Sequence, residues 1–71
     1  MIRLSKRQQE VLQWAAVGKT DWEIGMILGI SESAVKFHFE IARKKLNATN
    51  RTHAVARAIT MGLISATVAD T

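Results

Sequence analysis

The chain is 71 residues long, with ten lysines and arginines against six aspartates and glutamates, a net charge of +4, and no cysteine. That length makes one domain, which buries only about 60% of the surface its unfolded form exposes, so stability is modest. Disulfides and thiolate metal sites are excluded, and His38 and His53 have no partners at zinc-ligand spacing, so no metal or cofactor is expected and the core must come from helix packing alone.

Proline is absent and the four glycines fall at expected element ends, so the whole chain reads as helical. Ser5-Lys6-Arg7-Gln8 is a capping box of the S-x-x-Q kind. Val11, Leu12 and Ala15 follow it as a buried stripe that stops at Gly18. Thr20-Asp21-Trp22-Glu23 is a second capping box, with Ile24, Ile27 and Leu28 as its apolar stripe and Gly29 where a left-handed C-terminal cap belongs. Ser31 caps a third helix. Asn50 caps a fourth, which runs through Ala54, Val55, Ala58 and Ile59 to Gly62. Residues 65–71 are small and polar and are expected to fray. The expected fold is all-α, a four-helix bundle forming one domain over residues 1–71. Its second and third helices, about residues 20–46, meet at the tight turn Gly29-Ile30-Ser31 as a helix-turn-helix, the device that lays one helix in the DNA major groove.

The third helix has two faces. At 100° per residue, Phe39, Ala42 and Leu46 return close to Val35 and form the core face, with His38 beside them. Lys36, Glu40, Arg43 and Asn47 make a second row, flanked by Ser33 and Lys44. The charge excess begins here. Residues 1–35 balance four basic groups (Arg3, Lys6, Arg7, Lys19) against four acidic ones (Glu10, Asp21, Glu23, Glu32). Residues 36–71 set six (Lys36, Arg43, Lys44, Lys45, Arg51, Arg57) against Glu40 and Asp70. Such a surface suits a polyanion. Lys36 can donate to guanine O6 and N7, Glu40 can accept from cytosine N4, and Phe37 can touch a thymine methyl. Arg43, Lys44 and Arg51 suit phosphates. The plainer alternative is a solvated helix on which Lys36 and Glu40 pair at i,i+4 for ~0.2–0.5 kcal/mol. The helix and turn preceding this one favour DNA contact.

Other features carry no chemistry. Gly18-Lys19-Thr20 ends like a phosphate-binding loop, but Gln13 stands where that loop needs its first glycine and no strand precedes it. His38 has neither nucleophile nor carboxylate at triad-like spacing and reads as a core histidine bonded to backbone. Trp14 and Trp22 read as core residues or as facing a neighbouring domain. An enzyme is not expected. No apolar run can span a bilayer, and Met1-Ile2-Arg3-Leu4 does not open a signal peptide, so no membrane partner and a cytoplasmic location are expected. The Asn-x-Thr sequences at Asn47 and Asn50 are then chance occurrences.

L-S-K-R-x-x-E-V-L at Leu4–Leu12, G-K-T-x-x-E-I at Gly18–Ile24, I-S-E-x-x-V-K-x-H at Ile30–His38, the basic run Arg43-Lys44-Lys45 before Leu46, and N-R-x-x-A-V at Asn50–Val55 together resemble the LuxR-type DNA-binding domain of bacterial transcription regulators. Trp14 with G-K-T-x-W-E-I and K-F-H is most similar to the acyl-homoserine-lactone-responsive (quorum-sensing) branch. The resemblance implies sequence-specific binding of double-stranded DNA by a homodimer in the bacterial cytoplasm, at the nucleoid. It puts base contacts on Lys36, Phe37 and Glu40. Phosphate contacts fall on Lys19, Thr20, Ser33, Arg43, Lys44 and Arg51. It makes the last helix, about residues 51–62, a dimer surface through Thr52, Ala54, Val55, Ala58, Ile59 and Met61, with Ala54 and Ala58 small enough for close approach. Family members usually carry an N-terminal ligand-binding or receiver domain, so a ligand-sensing domain or full-length regulator is a further expected partner.

Three residues depart from the family pattern. Gln8 replaces a glutamate and completes the capping box without a charge. Asn47 replaces a glycine, which asparagine's tolerance of a left-handed backbone allows. Ala34 replaces a threonine and lacks its hydroxyl. A rival reading takes Gln8 and Glu40 as marks of a degenerate copy, a protein-interaction module that pairs with and modulates a full-length regulator.

Overall fold

Each helix starts where a side-chain oxygen takes up a first-turn N–H that has no partner within the helix. The computed structural model describes residues 1–65. Ser5 Oγ accepts from the Gln8 N–H at 3.1 Å and Gln8 Oε1 accepts from the Ser5 N–H at 3.0 Å, opening α1 (Lys6–Ala16). Thr20 and Glu23 make the same reciprocal pair at 3.2 and 2.8 Å before α2 (Asp21–Leu28). Ser31 Oγ accepts from Ala34 at 3.0 Å ahead of α3 (Glu32–Lys45), and Asn50 Oδ1 accepts from His53 at 2.8 Å ahead of α4 (Arg51–Thr60). A residue with positive φ follows every helix: Gly18 (91°), Gly29 (72°), Asn47 (55°) and Gly62 (73°), and Asn47 is the one non-glycine with positive φ among the described residues.

α3 packs against all three other helices and α1 does the same, so the core lies between them. Val11 and Leu12 of α1, Ile24 of α2, Val35, Phe39 and Ala42 of α3 and Ala54 and Ala58 of α4 are buried there together with Leu46. Burying each of the large aliphatic side chains among them contributes about 1.5–3 kcal/mol. Polar ties close the periphery. Lys45 Nζ donates to Gln8 Oε1 at 2.9 Å and to the Arg3 carbonyl at 3.0 Å, fastening the end of α3 to the start of α1. Arg57 Nε of α4 donates to the Leu46 carbonyl at the end of α3. Gln13 grips the Ser65 backbone at both its N–H (3.0 Å) and its carbonyl (3.1 Å). The rest of the tail expected to fray, residues 66–71, lies outside the described residues.

Three expectations require correction. Gly25 is not at an element end; it is buried in the middle of α2. A Cβ there would stand 2.7 Å from the Ile30 carbonyl oxygen, so the residue is glycine because the turn's backbone passes against the helix. Ile27 is 45% exposed, because the buried face of α2 runs from Ile24 toward Gly25 and Ile27 lies on the other side of Ile24. His38 is half-buried and meets the Phe37 ring edge-on, with centroids 5.7 Å apart, instead of sitting in the core. Of the two tryptophans, Trp14 packs against the core and Trp22 is 59% exposed, which leaves for it the alternative of facing a neighbouring domain.

In an ordinary helix interior, glycine to alanine gains ~0.5–1 kcal/mol. Gly25→Ala is expected to destabilise instead, by about 1–3 kcal/mol, because rigid backbone must move aside. Thermal melts followed by circular dichroism should show the midpoint falling by at least ~4 °C; a rise would contradict the close approach.

Candidate nucleic-acid interface

The core stripe of α3 leaves its opposite side free. Val35, Phe39, Ala42 and Leu46 face inward, while Ser33, Lys36, Phe37, Glu40, Lys44 and Asn47 are exposed along one outward ridge. Arg43, from the same row, is half-buried. Phe37 is 63% exposed and is met only at one side by the neighbouring His38 ring. The basic residues Arg43, Lys44 and Lys45 occupy the last turn of α3, where cations complement the helix dipole.

Lys36, Glu40 and Arg43 are already paired, and not as the spacing alone proposes. Lys36 and Glu40 do not bond to each other. Lys36 Nζ lies 3.4 Å from Asp21 Oδ2 of α2 and 3.5 Å from Glu32 Oε2. Glu40 is gripped at both oxygens by Arg43, through Nε at 3.0 Å and through Nη2. A planar guanidinium satisfies a carboxylate in this two-point way and a lysine does not, which is why the i,i+3 arginine displaces the i,i+4 lysine. Arg43 Nη1 also donates to the Ala48 carbonyl at 2.6 Å, so the pair is anchored to the chain beyond the helix. The hydrogen bond from Arg43 holds the Glu40 carboxyl below its ordinary range, outweighing some desolvation, and the same contact raises the Arg43 guanidinium.

Arg51, at the first position of α4, places a cation at a helix N-terminus, which the dipole disfavours. Asp21 offsets this: Arg51 Nη1 donates to Asp21 Oδ1 at 2.7 Å and Nη2 to the Lys19 carbonyl at 3.1 Å. The guanidinium also lies 4.7 Å above the centre of the Phe39 ring. Lys19, Thr20, Lys36 and Arg51 thereby meet around one shallow depression of about 470 Å³, with Asp21 and Glu32 in its wall. Ser33 and Lys44 stand apart from it along the ridge. Asp21 is the member that residue spacing missed, since its partners lie fifteen and thirty positions away. Only its place in the first turn of a capped helix marks it.

The expected dimer residues divide. Thr52, Val55 and Ile59 line an apolar groove of about 330 Å³ with Ala15, Arg51 and Ala56, and Met61 is exposed. Ala54 and Ala58 are wholly buried in the domain's own core, so their small size serves close packing of α4 within the chain and they offer no surface to a second copy.

The family of bacterial regulatory proteins described as the luxR family matches residues 3–58. The chain is 61% identical over 62 residues to the quorum sensing-dependent transcriptional regulator RpaR of Rhodopseudomonas palustris, covering 87% of this chain and 26% of that protein. It is 49% identical over 61 residues to the transcriptional activator protein LuxR of Aliivibrio fischeri, covering 86% of this chain and 24% of that one. Among solved structures, the transcription factor GerE superimposes with a TM-score of 0.86 at 26% identity, covering 90% of this chain and 96% of GerE. Escherichia coli SdiA gives a TM-score of 0.82 at 48% identity, covering 89% of this chain and 26% of SdiA. The chain spans about a quarter of the length of the curated relatives it matches.

The lowered Glu40 carboxyl has a consequence for acid stability. Its pairing stabilises the fold above the unfolded carboxyl value of about 4.3 and is lost as pH falls through the lower folded value. Glu23, lowered chiefly by the Thr20 backbone N–H, acts with the same sign. Thermal midpoints should therefore separate the unaltered chain from Glu40→Gln at about pH 6 and converge toward about pH 2. A gap that stays constant over that range would contradict the pairing.

Proposed function

The chain belongs to the luxR family of bacterial regulatory proteins, and from that membership we propose that it binds double-stranded DNA sequence-specifically to regulate transcription, with α3 in the major groove. The observation that carries the reading is the outward ridge of α3. Fourteen helical residues present one polar face to solvent while the opposite face is the centre of the core. A helix of that length is about 21 Å long and has the width that a groove about 12 Å across admits.

In this reading Lys36, Phe37 and Glu40 meet base edges. Glu40 keeps a second lone pair on each oxygen while bound to Arg43, so it can accept from cytosine N4 without releasing its partner. Lys44 and Ser33 on the ridge and Lys19, Thr20 and Arg51 around the depression meet phosphates. Arg43 and Arg51 each have N–H donors left over from their internal bonds. A single module of this size covers only ~600–1,000 Å² of DNA, so useful affinity comes from two copies on half-sites about one helical turn apart. The surface of α4 that supports pairing is Thr52, Val55, Ile59 and Met61. The name of the Rhodopseudomonas palustris relative speaks of quorum sensing, and in this reading the module works with a ligand-sensing domain or a full-length regulator, in the bacterial cytoplasm at the nucleoid. No helix among the described residues is long and apolar enough to cross a membrane.

The interaction-module reading rested on Gln8 and Glu40, and neither is a defect here. Gln8 is 6% exposed, completes its capping box and accepts from Lys45; Glu40 is neutralised by Arg43.

Titration of a duplex selected from a random pool, at about 50 and 200 mM salt, tests the proposal. Saturable binding that weakens steeply with salt is expected, and its absence at low salt would overturn it. Lys44→Ala should weaken all duplexes alike and flatten the salt slope by about one. Lys36→Ala should relax preference at one base pair by ~1–3 kcal/mol. Equal effects from both would contradict the division of roles along α3.

A further inference from the structure

Lys36 is held from two sides, and the two holds differ in kind. Glu32 is four residues away on the same helix and half-exposed, an ordinary surface pair. Asp21 belongs to the other helix of the motif, and its side chain is only 15% exposed. Its Oδ1 is fixed by Arg51, which is fixed in turn by the Lys19 carbonyl and by the face of Phe39. With one oxygen anchored, the other is presented to Lys36 from a set position.

A lysine ammonium is a compact charge on a flexible stem and takes a phosphate as readily as a base. Two carboxylates beside it change that balance. A phosphate approaching Lys36 meets like charges at Asp21 and Glu32, whereas guanine O6 or N7 is a neutral acceptor that needs only the third N–H of the ammonium. Repelling the wrong partner is a route to specificity as effective as attracting the right one. Resting on the reading of Lys36 as a base contact, we propose that Asp21 is a positioning residue for sequence discrimination. It holds the Lys36 ammonium on the outward ridge of α3 and denies it to the DNA backbone.

The test uses the 71-residue chain and a selected duplex, together with duplexes altered at the base pair where Lys36→Ala loses discrimination. Asp21→Asn is expected to bind the altered duplexes several-fold more tightly. Its discrimination at that pair should fall on the order of ten-fold, toward that of Lys36→Ala. Its salt slope should steepen by about one, as the freed ammonium takes up a phosphate. Asp21→Glu, which keeps the charge, should restore both. In a Lys36→Ala background, Asp21→Asn should change neither.

A gain that persists without Lys36 would reduce Asp21 to a negative charge near DNA and overturn the proposal. Discrimination that the unaltered chain shows, Lys36→Ala loses and Asp21→Asn keeps would overturn it alone, leaving the base-reading role of Lys36 intact. An unaltered chain with no preference at any base pair would overturn both. Should Asp21→Asn fail to fold, the unaltered complex decides by nuclear magnetic resonance. A scalar coupling between the Lys36 ammonium nitrogen and a DNA phosphorus would overturn the proposal, and a coupling-free, slowly exchanging ammonium is expected.

Discussion

At the point where the Ile30 carbonyl passes Gly25, the turn that leads into α3 comes as close to α2 as backbone allows, with no space for even one added carbon. That contact sets where α3 lies relative to α2. The Gly29 cap turns the chain there with φ 72°, and the Ile30 N–H bonds the Gly25 carbonyl at 3.0 Å, so the turn is tied to the residue it passes. Everything outward follows from this closeness. With α2 tight against its start and α1 and α4 packed along it, α3 has one side left for solvent, and on that side stand Ser33, Lys36, Phe37, Glu40 and Lys44.

A second layer of order is electrostatic. The ridge residues are coupled to the scaffold through partners that are themselves held: Lys36 through Asp21, Asp21 through Arg51, Arg51 through Phe39 and the Lys19 carbonyl. Glu40 is coupled through Arg43 to the Ala48 carbonyl beyond the helix. Exposed ion pairs taken singly contribute little to stability. Their value here is geometric, because a side chain held before binding loses less freedom when it meets its partner.

The helix starts were legible in the chain because caps are local: Ser5 with Gln8, Thr20 with Glu23, Ser31 with Ala34 and Asn50 with His53 all act over three residues. The core face of α3 was legible for the same reason, its stripe repeating with the helical period. Asn47 could be placed because the resemblance puts a glycine there, and asparagine accepts the same left-handed backbone. Gly25 could not be read as interior, since what removes its side chain is a carbonyl five residues on, brought back by the turn. Asp21 and Arg51 are thirty residues apart, and no period links them. Ala54 and Ala58 look the same in sequence whether they admit a second copy or their own neighbours. In the structure α4 needs them against its own core.

DNA recognition by this chain requires the outward ridge of α3 to meet the nucleic acid. Backbone amide shifts recorded while duplex DNA is added to the isotopically labelled chain test this most directly. The largest changes are expected on Ser33, Lys36, Phe37, Glu40 and Lys44, with smaller ones at Lys19 and Thr20. Changes concentrated on α4 or around Trp22 and Met26, with the α3 ridge silent, would contradict it.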